Sequence, residues 1–125
     1  MTVRILGVDP GLRTTGYGVI DVTAGRPHLV EAGLVCPNAK DSLERRLNDL
    51  HEGMTAVVIA TRPSAMVIEE LYTTYRNPST AIMMGHARGV LCLTGAQHGV
   101  PVHTLAHSMV SPGSGVDRLE RAVRI

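Results

Sequence analysis

Two carboxylates stand where chemistry is most easily built. Asp9 closes the apolar run Ile5-Leu6-Gly7-Val8 and is followed at once by the turn residues Pro10 and Gly11, and Glu69 closes the shorter run Met66-Val67-Ile68. A carboxylate on the last rung of a buried strand is held rigidly at the rim of the core, where water and an ion still reach it. Two of them on neighbouring parallel strands repel and desolvate each other, so a fold that keeps them together offsets the cost with a cation. Hard oxygen donors suit Mg²⁺ or Mn²⁺, which keep several waters and complete their shell with phosphate oxygens of a substrate. A pair of such ions activates a water and stabilises the leaving oxygen of a phosphodiester. The plainer alternative is that Asp9 caps its own turn and Glu69 is exposed at a strand end.

The elements that must position these residues are readable from periodicity. Residues 3–9 read as a central strand, 16–22 as a second strand after a tight turn, and 28–35 as a third beyond Ala24-Gly25-Arg26-Pro27, which predicts an antiparallel opening. The period then changes: Leu43, Leu47, Leu50, Met54 and Val57 or Val58 recur at three- and four-residue steps, one face of a helix that Pro63 ends. Asp41 and Glu44 resemble a capping box at its start. A buried strand at 66–70 follows. Asn77-Pro78 predicts an N-cap with proline at the first helical position, opening a helix to about residue 97, in which Gly85 and Gly89 would allow close packing on a neighbour. Residues 100–105 make one more strand, and 116–125 one short helix. The order β-β-β-α-β-α-β, with right-handed crossovers, predicts a mixed α/β layer in which the strand at 66–70 runs parallel to the first and sets Glu69 beside Asp9. There is no internal repeat.

The 125 residues amount to one domain, 44% hydrophobic and 18% charged. That excludes a disordered tail, and no apolar run approaches the ~18 residues of a membrane span. The start, Met1-Thr2-Val3-Arg4, lacks the regions of a signal peptide, so a cytoplasmic location is expected. Cys36 and Cys92 have no companion at metal-binding spacing and fit reduced thiols. His103 and His107 straddle a strand end and are not expected to bind metal, and His28, His51, His86 and His98 read as ordinary surface or core residues. The net charge of +1 argues against coating nucleic acid by bulk charge, but every basic residue except Lys40 is Arg, the better bidentate phosphate ligand, which leaves room for a local basic surface.

Four motifs in order carry a resemblance: Ile5-Leu6-Gly7-Val8-Asp9-Pro10-Gly11, Thr15-Gly16-Tyr17-Gly18-Val19-Ile20, Ile68-Glu69-Glu70-Leu71-Tyr72 and Gly85-His86-Ala87-Arg88-Gly89-Val90. Over roughly residues 3–110 the chain resembles the RuvC-type crossover junction endodeoxyribonucleases. The resemblance implies a ribonuclease H-like five-stranded mixed sheet with helices packed on it, and a homodimer that cuts Holliday junctions symmetrically with Mg²⁺, two ions per subunit, in company with a branch-migration helicase complex. It makes Asp9 and Glu69 the first two catalytic, metal-binding carboxylates, while Glu70 falls on a position that is not catalytic. Tyr72 matches an aromatic that meets unpaired bases near the crossover, where stacking is worth ~1–3 kcal/mol per base. Arg76, in the same polar loop as Tyr72 and Tyr75, is a candidate phosphate contact. The Gly85–Gly89 stretch lies, by the same resemblance, in a helix near the dimer contact, with Arg88 pairing across or within that surface.

The match fades after Val110. Family members continue with a lysine-containing loop and a final helix that carries the last two acidic ligands, whereas this sequence stops at Ile125. The terminal helix is therefore expected to be missing, and a truncated product, a fragment or a degenerate paralogue are the explanations. Asp117 and Glu120 have helical i, i+3 spacing but unmatched flanks, and read as a solvated face. The expected division is a nuclease domain over 1–110 and a divergent tail over 111–125. With two of four ligands, cleavage is expected to be impaired. The alternatives are a module that dimerises and holds junction DNA without cutting it, and a fragment of an actin-like ATPase or sugar kinase, whose phosphate hairpin opens with a similar Asp-x-Gly.

Overall fold

The computed structural model describes residues 1–70 and 77–106. Over these the chain forms β1 (Thr2–Asp9), β2 (Thr15–Thr23), β3 (Arg26–Val35), α1 (Leu43–Thr61), β4 (Ala65–Glu70), α2 (Pro78–Gln97) and β5 (Val102–Ala106). The five strands make one sheet in the order β3-β2-β1-β4-β5. β1 pairs antiparallel with β2 and parallel with β4, in the register Ile5 with Ala65 through Val8 with Ile68. β1 is thus the centre of the sheet, which is why Ile5–Val8 is apolar without alternation: both faces are covered. The β2–β3 hairpin turns on Ala24 and Gly25, both at positive φ (52° and 74°), the backbone that a two-residue turn needs to match the strand twist.

The larger core lies between the sheet and the two helices. Leu6, Val8, Val19, Met66 and Ile68 from the strands meet Leu50, Met54, Val57 and Val58 of α1 and Ala87 and Leu91 of α2. The expected helical stripe holds from Leu50 onward, while Leu43 and Leu47, near the start of α1, are half-buried. Ile5, Ile20, Val67 and Leu105 form a smaller buried cluster on the opposite face of the sheet, composed of strand residues alone among the described residues. Two glycines allow close approach between layers: a Cβ on Gly53 of α1 would lie 2.7 Å from Val35 Cγ1 of β3, and one on Gly95 of α2 would collide with Val102 of β5.

Two expectations are corrected. The N-cap of α1 is Ser42, its side chain makes no capping bond, and the Asp41–Glu44 box does not form. The last strand begins at Val102 rather than residue 100, because Val100 N–H is held at the end of α2 by the Gly95 carbonyl (2.8 Å). Within the described residues Gly85 and Gly89 face no neighbouring element, since a Cβ on either would meet nothing within 4 Å. The start of α2 is as expected, with the Asn77 side chain accepting from Ser79 N at 2.9 Å and Pro78 in the first turn. Cys36 and Cys92 are free and exposed. Among the described residues no helix is long and apolar enough to cross a membrane. The short helix expected over 116–125 lies outside the described residues.

Candidate active site

Asp9 ends β1 opposite Gly16 of β2, and it is exposed. Glu69 lies in β4 opposite Leu105 of β5, and it is half-buried. In the parallel ladder Val8 faces Ile68, so Asp9 and Glu69 occupy the next step on adjacent strands, about 5 Å apart at the ordinary interstrand spacing. Side chains alternate along a strand. Leu6, Val8, Met66 and Ile68 point to the helices, whereas Ile5 and Val67 point to the opposite face. Asp9 and Glu69 share the parity of Ile5 and Val67 and so project together, at one end of the sheet, from the face away from α1 and α2.

The turn that follows Asp9 is tightly made. Gly11 is required there because a Cβ would collide with the Thr14 carbonyl oxygen. Arg46, reaching from α1, donates from Nη2 to the Leu12 carbonyl oxygen at 3.1 Å and ties the turn to the helix layer. Asp9 accepts no hydrogen bond from this turn among the described residues, so the turn-cap role weighed for it is not the one it plays. Asp9 is exposed and Glu69 half-buried on the adjacent strand, two hard oxygen donors of the kind that divalent cations take. Among the described residues no cluster of three or more His, Cys, Asp or Glu gathers to hold a metal.

Other predicted site residues distribute as follows. Tyr72, Tyr75, Arg76, His107, Asp117 and Glu120 lie outside the described residues. Arg88 turns inward from α2 toward β5, with Nη2 3.4 Å from Thr104 Oγ1. His103 is exposed on β5, paired with Val67. His51 bridges the helices through Nδ1, 2.8 Å from the buried Thr94 hydroxyl, which itself donates to the Val90 carbonyl and therefore accepts from the ring. The Arg46–Leu12 clasp was not foreseen, because no local pattern joins a helical arginine to a turn far upstream.

The family model described as "Crossover junction endodeoxyribonuclease RuvC" matches residues 5–114, a span that contains both carboxylates, the turn between β1 and β2, and α2. The chain belongs to the RuvC family. It is 48% identical to the crossover junction endodeoxyribonuclease RuvC of Rhodopirellula baltica over 78% of its own length and 55% of that protein, and 39% identical to the RuvC of Myxococcus xanthus over 98% of its own length and 66% of that protein. This RuvC-family chain therefore spans between half and two thirds of the length of those relatives. Its fold matches that of T. thermophilus RuvC, solved in complex with Holliday junction substrate, with a TM-score of 0.77 at 24% identity over 86% of this chain and 66% of that one.

Proposed function

We propose that this chain is the core of a four-way junction endonuclease acting on DNA by divalent-metal-dependent phosphodiester hydrolysis, with Asp9 and Glu69 as metal-binding catalytic residues. The observation that carries this reading is their placement on adjacent parallel strands with the same side-chain parity, inside the segment that matches the RuvC family. The hard oxygen donors fit Mg²⁺ or Mn²⁺, and the family resemblance implies two ions per subunit. Bound there, such ions neutralise the phosphodiester and acidify a water. Asp9, exposed and rigid, presents its carboxylate to the solvent side of the rim. Glu69, half-buried, fixes the inner side, and its strand is locked by the ladders to β1 and β5. Tyr72 and Arg76 contact the DNA on this reading. The protein works in the cytoplasm, alongside a branch-migration helicase.

The homodimer of this reading is supported by the outer face of α2. Ile82 and Leu93 are 62% and 52% exposed, and Gly85 and Gly89 between them open onto empty space. A glycine inside a helix costs ~1 kcal/mol relative to alanine, and nothing within the described fold requires it at either place. A second copy of the helix, approaching closely at the glycines, supplies the reason.

Asp9→Asn removes one ion ligand and one negative charge near phosphate. Incubated with a labelled four-way junction and Mg²⁺, the unaltered chain should nick the junction and the variant should not, while junction affinity measured in EDTA stays the same or rises. Equal nicking by both would refute the assignment. Binding by the unaltered chain without Mg²⁺-dependent nicks would mark it as a junction-holding module instead.

A further inference from the structure

On the helix side of the β1–β2 turn lies a cleft whose mouth carries Arg13 and Arg46 and whose walls include Leu12, Leu43, Leu47 and Leu50. Arg46 is fixed there by its bond to the Leu12 carbonyl oxygen, the residue next to Arg13. Arg13 is exposed, and neither arginine forms an ion pair among the described residues. Arg4 shows the contrast: its guanidinium is matched by Asp21 at 2.8 Å. No carboxylate lines the cleft among the described residues. Two guanidinium groups lining one cleft with no carboxylate among its described lining residues favour an anion there. A phosphodiester suits the planar donor forks of arginine.

We propose that Arg13 and Arg46 form a backbone-phosphate contact for the nucleic-acid strand. The inference deepens the nuclease reading above and rests on it. The turn lies between this cleft, on the helix side, and the Asp9–Glu69 pair, which projects from the opposite face of the sheet. A strand laid across it is gripped by phosphate on the helix side while a neighbouring phosphate reaches the carboxylates. Arg46 acts here also as a positioning residue, since its clasp on Leu12 ties down the turn that follows Asp9.

The test is junction affinity against salt, measured in EDTA so that no cleavage intervenes, for the unaltered chain and for Arg13→Gln, Arg13→Lys and Arg46→Gln. Loss of one phosphate contact should reduce the slope of log affinity against log salt by about 0.9 in Arg13→Gln and Arg46→Gln. Arg13→Lys should keep most of the slope. Arg13 is exposed, so the melting temperature of its variants should not change, which separates a lost contact from a damaged fold. Junction binding with an unaltered slope in Arg13→Gln overturns this proposal alone. Absence of junction binding by the unaltered chain overturns the nuclease reading and this proposal with it.

Discussion

Tyr17 and Gly33 face each other across the β2–β3 ladder, and the pair shows how much a single side chain decides here. The Tyr17 hydroxyl donates to Glu31 Oε2 at 2.9 Å, and a Cβ on Gly33 would lie 2.7 Å from that hydroxyl oxygen. Burial first, and the hydrogen bond to Glu31 second, hold the phenol above its ordinary pKa. Gly33→Val should therefore displace the ring and destabilise the fold by about 1–3 kcal/mol, read in a denaturant titration, even though valine is the better strand former. A stability equal to that of the unaltered chain would mean that the ring moves away without loss. At this scale the sequence was informative where a residue contradicts its local setting: Asp9 and Glu69 are charges at the ends of apolar runs, and they stood out. Arg46 was not legible, because it sits among charged neighbours at the start of a helix and gains its role only when the fold brings Leu12 to it.

Among elements, one polar tie joins three of them. Arg4 on β1 donates through Nε and Nη2 to the Asp21 carboxylate on β2, and through Nη1 to the Thr61 carbonyl oxygen at the end of α1. The Arg4 hydrogen bond holds the Asp21 carboxyl below its ordinary pKa. A carboxyl depressed in the folded state contributes stability that is fully present above its unfolded pKa of about 4 and is lost as pH falls through the lower folded value. Melting temperatures taken from pH 6 downward should thus fall less steeply for Asp21→Asn than for the unaltered chain, with the difference confined to the range below about pH 5. Parallel curves would show that the ion pair contributes nothing to acid sensitivity. The elements themselves were legible because the period of apolar residues switches cleanly from two to three or four at Leu43. Their ends were less so. Capping depends on side-chain geometry that spacing does not determine, as Ser42 shows, and the left-handed backbone at Ala24 and Arg62 lies at residues whose type does not announce it.

At the scale of the whole molecule, no other described residue covers the outer side of α2 at Gly85 and Gly89, and the proposed second copy makes a prediction with opposite signs in two measurements. A Cβ at Gly89 meets nothing within 4 Å among the described residues, and by helix propensity alone Gly89→Leu should stabilise the monomer by up to ~1 kcal/mol. The same bulk should force two copies apart, so sedimentation should show a monomer where the unaltered chain shows a dimer. A dimer that survives the substitution would place the contact elsewhere. The sequence hinted at this surface through its glycine spacing, but which side of a helix remains open is set by packing, and only the sheet beneath it shows that. The central parallel ladder has a further effect. Ile5 must find Ala65 before Asp9 can stand beside Glu69, and pairings between such distant stretches of chain form late and slowly. On the proposed reading, cation affinity at the carboxylate pair depends on this long-range pairing, and titrating the ion during refolding would time its formation.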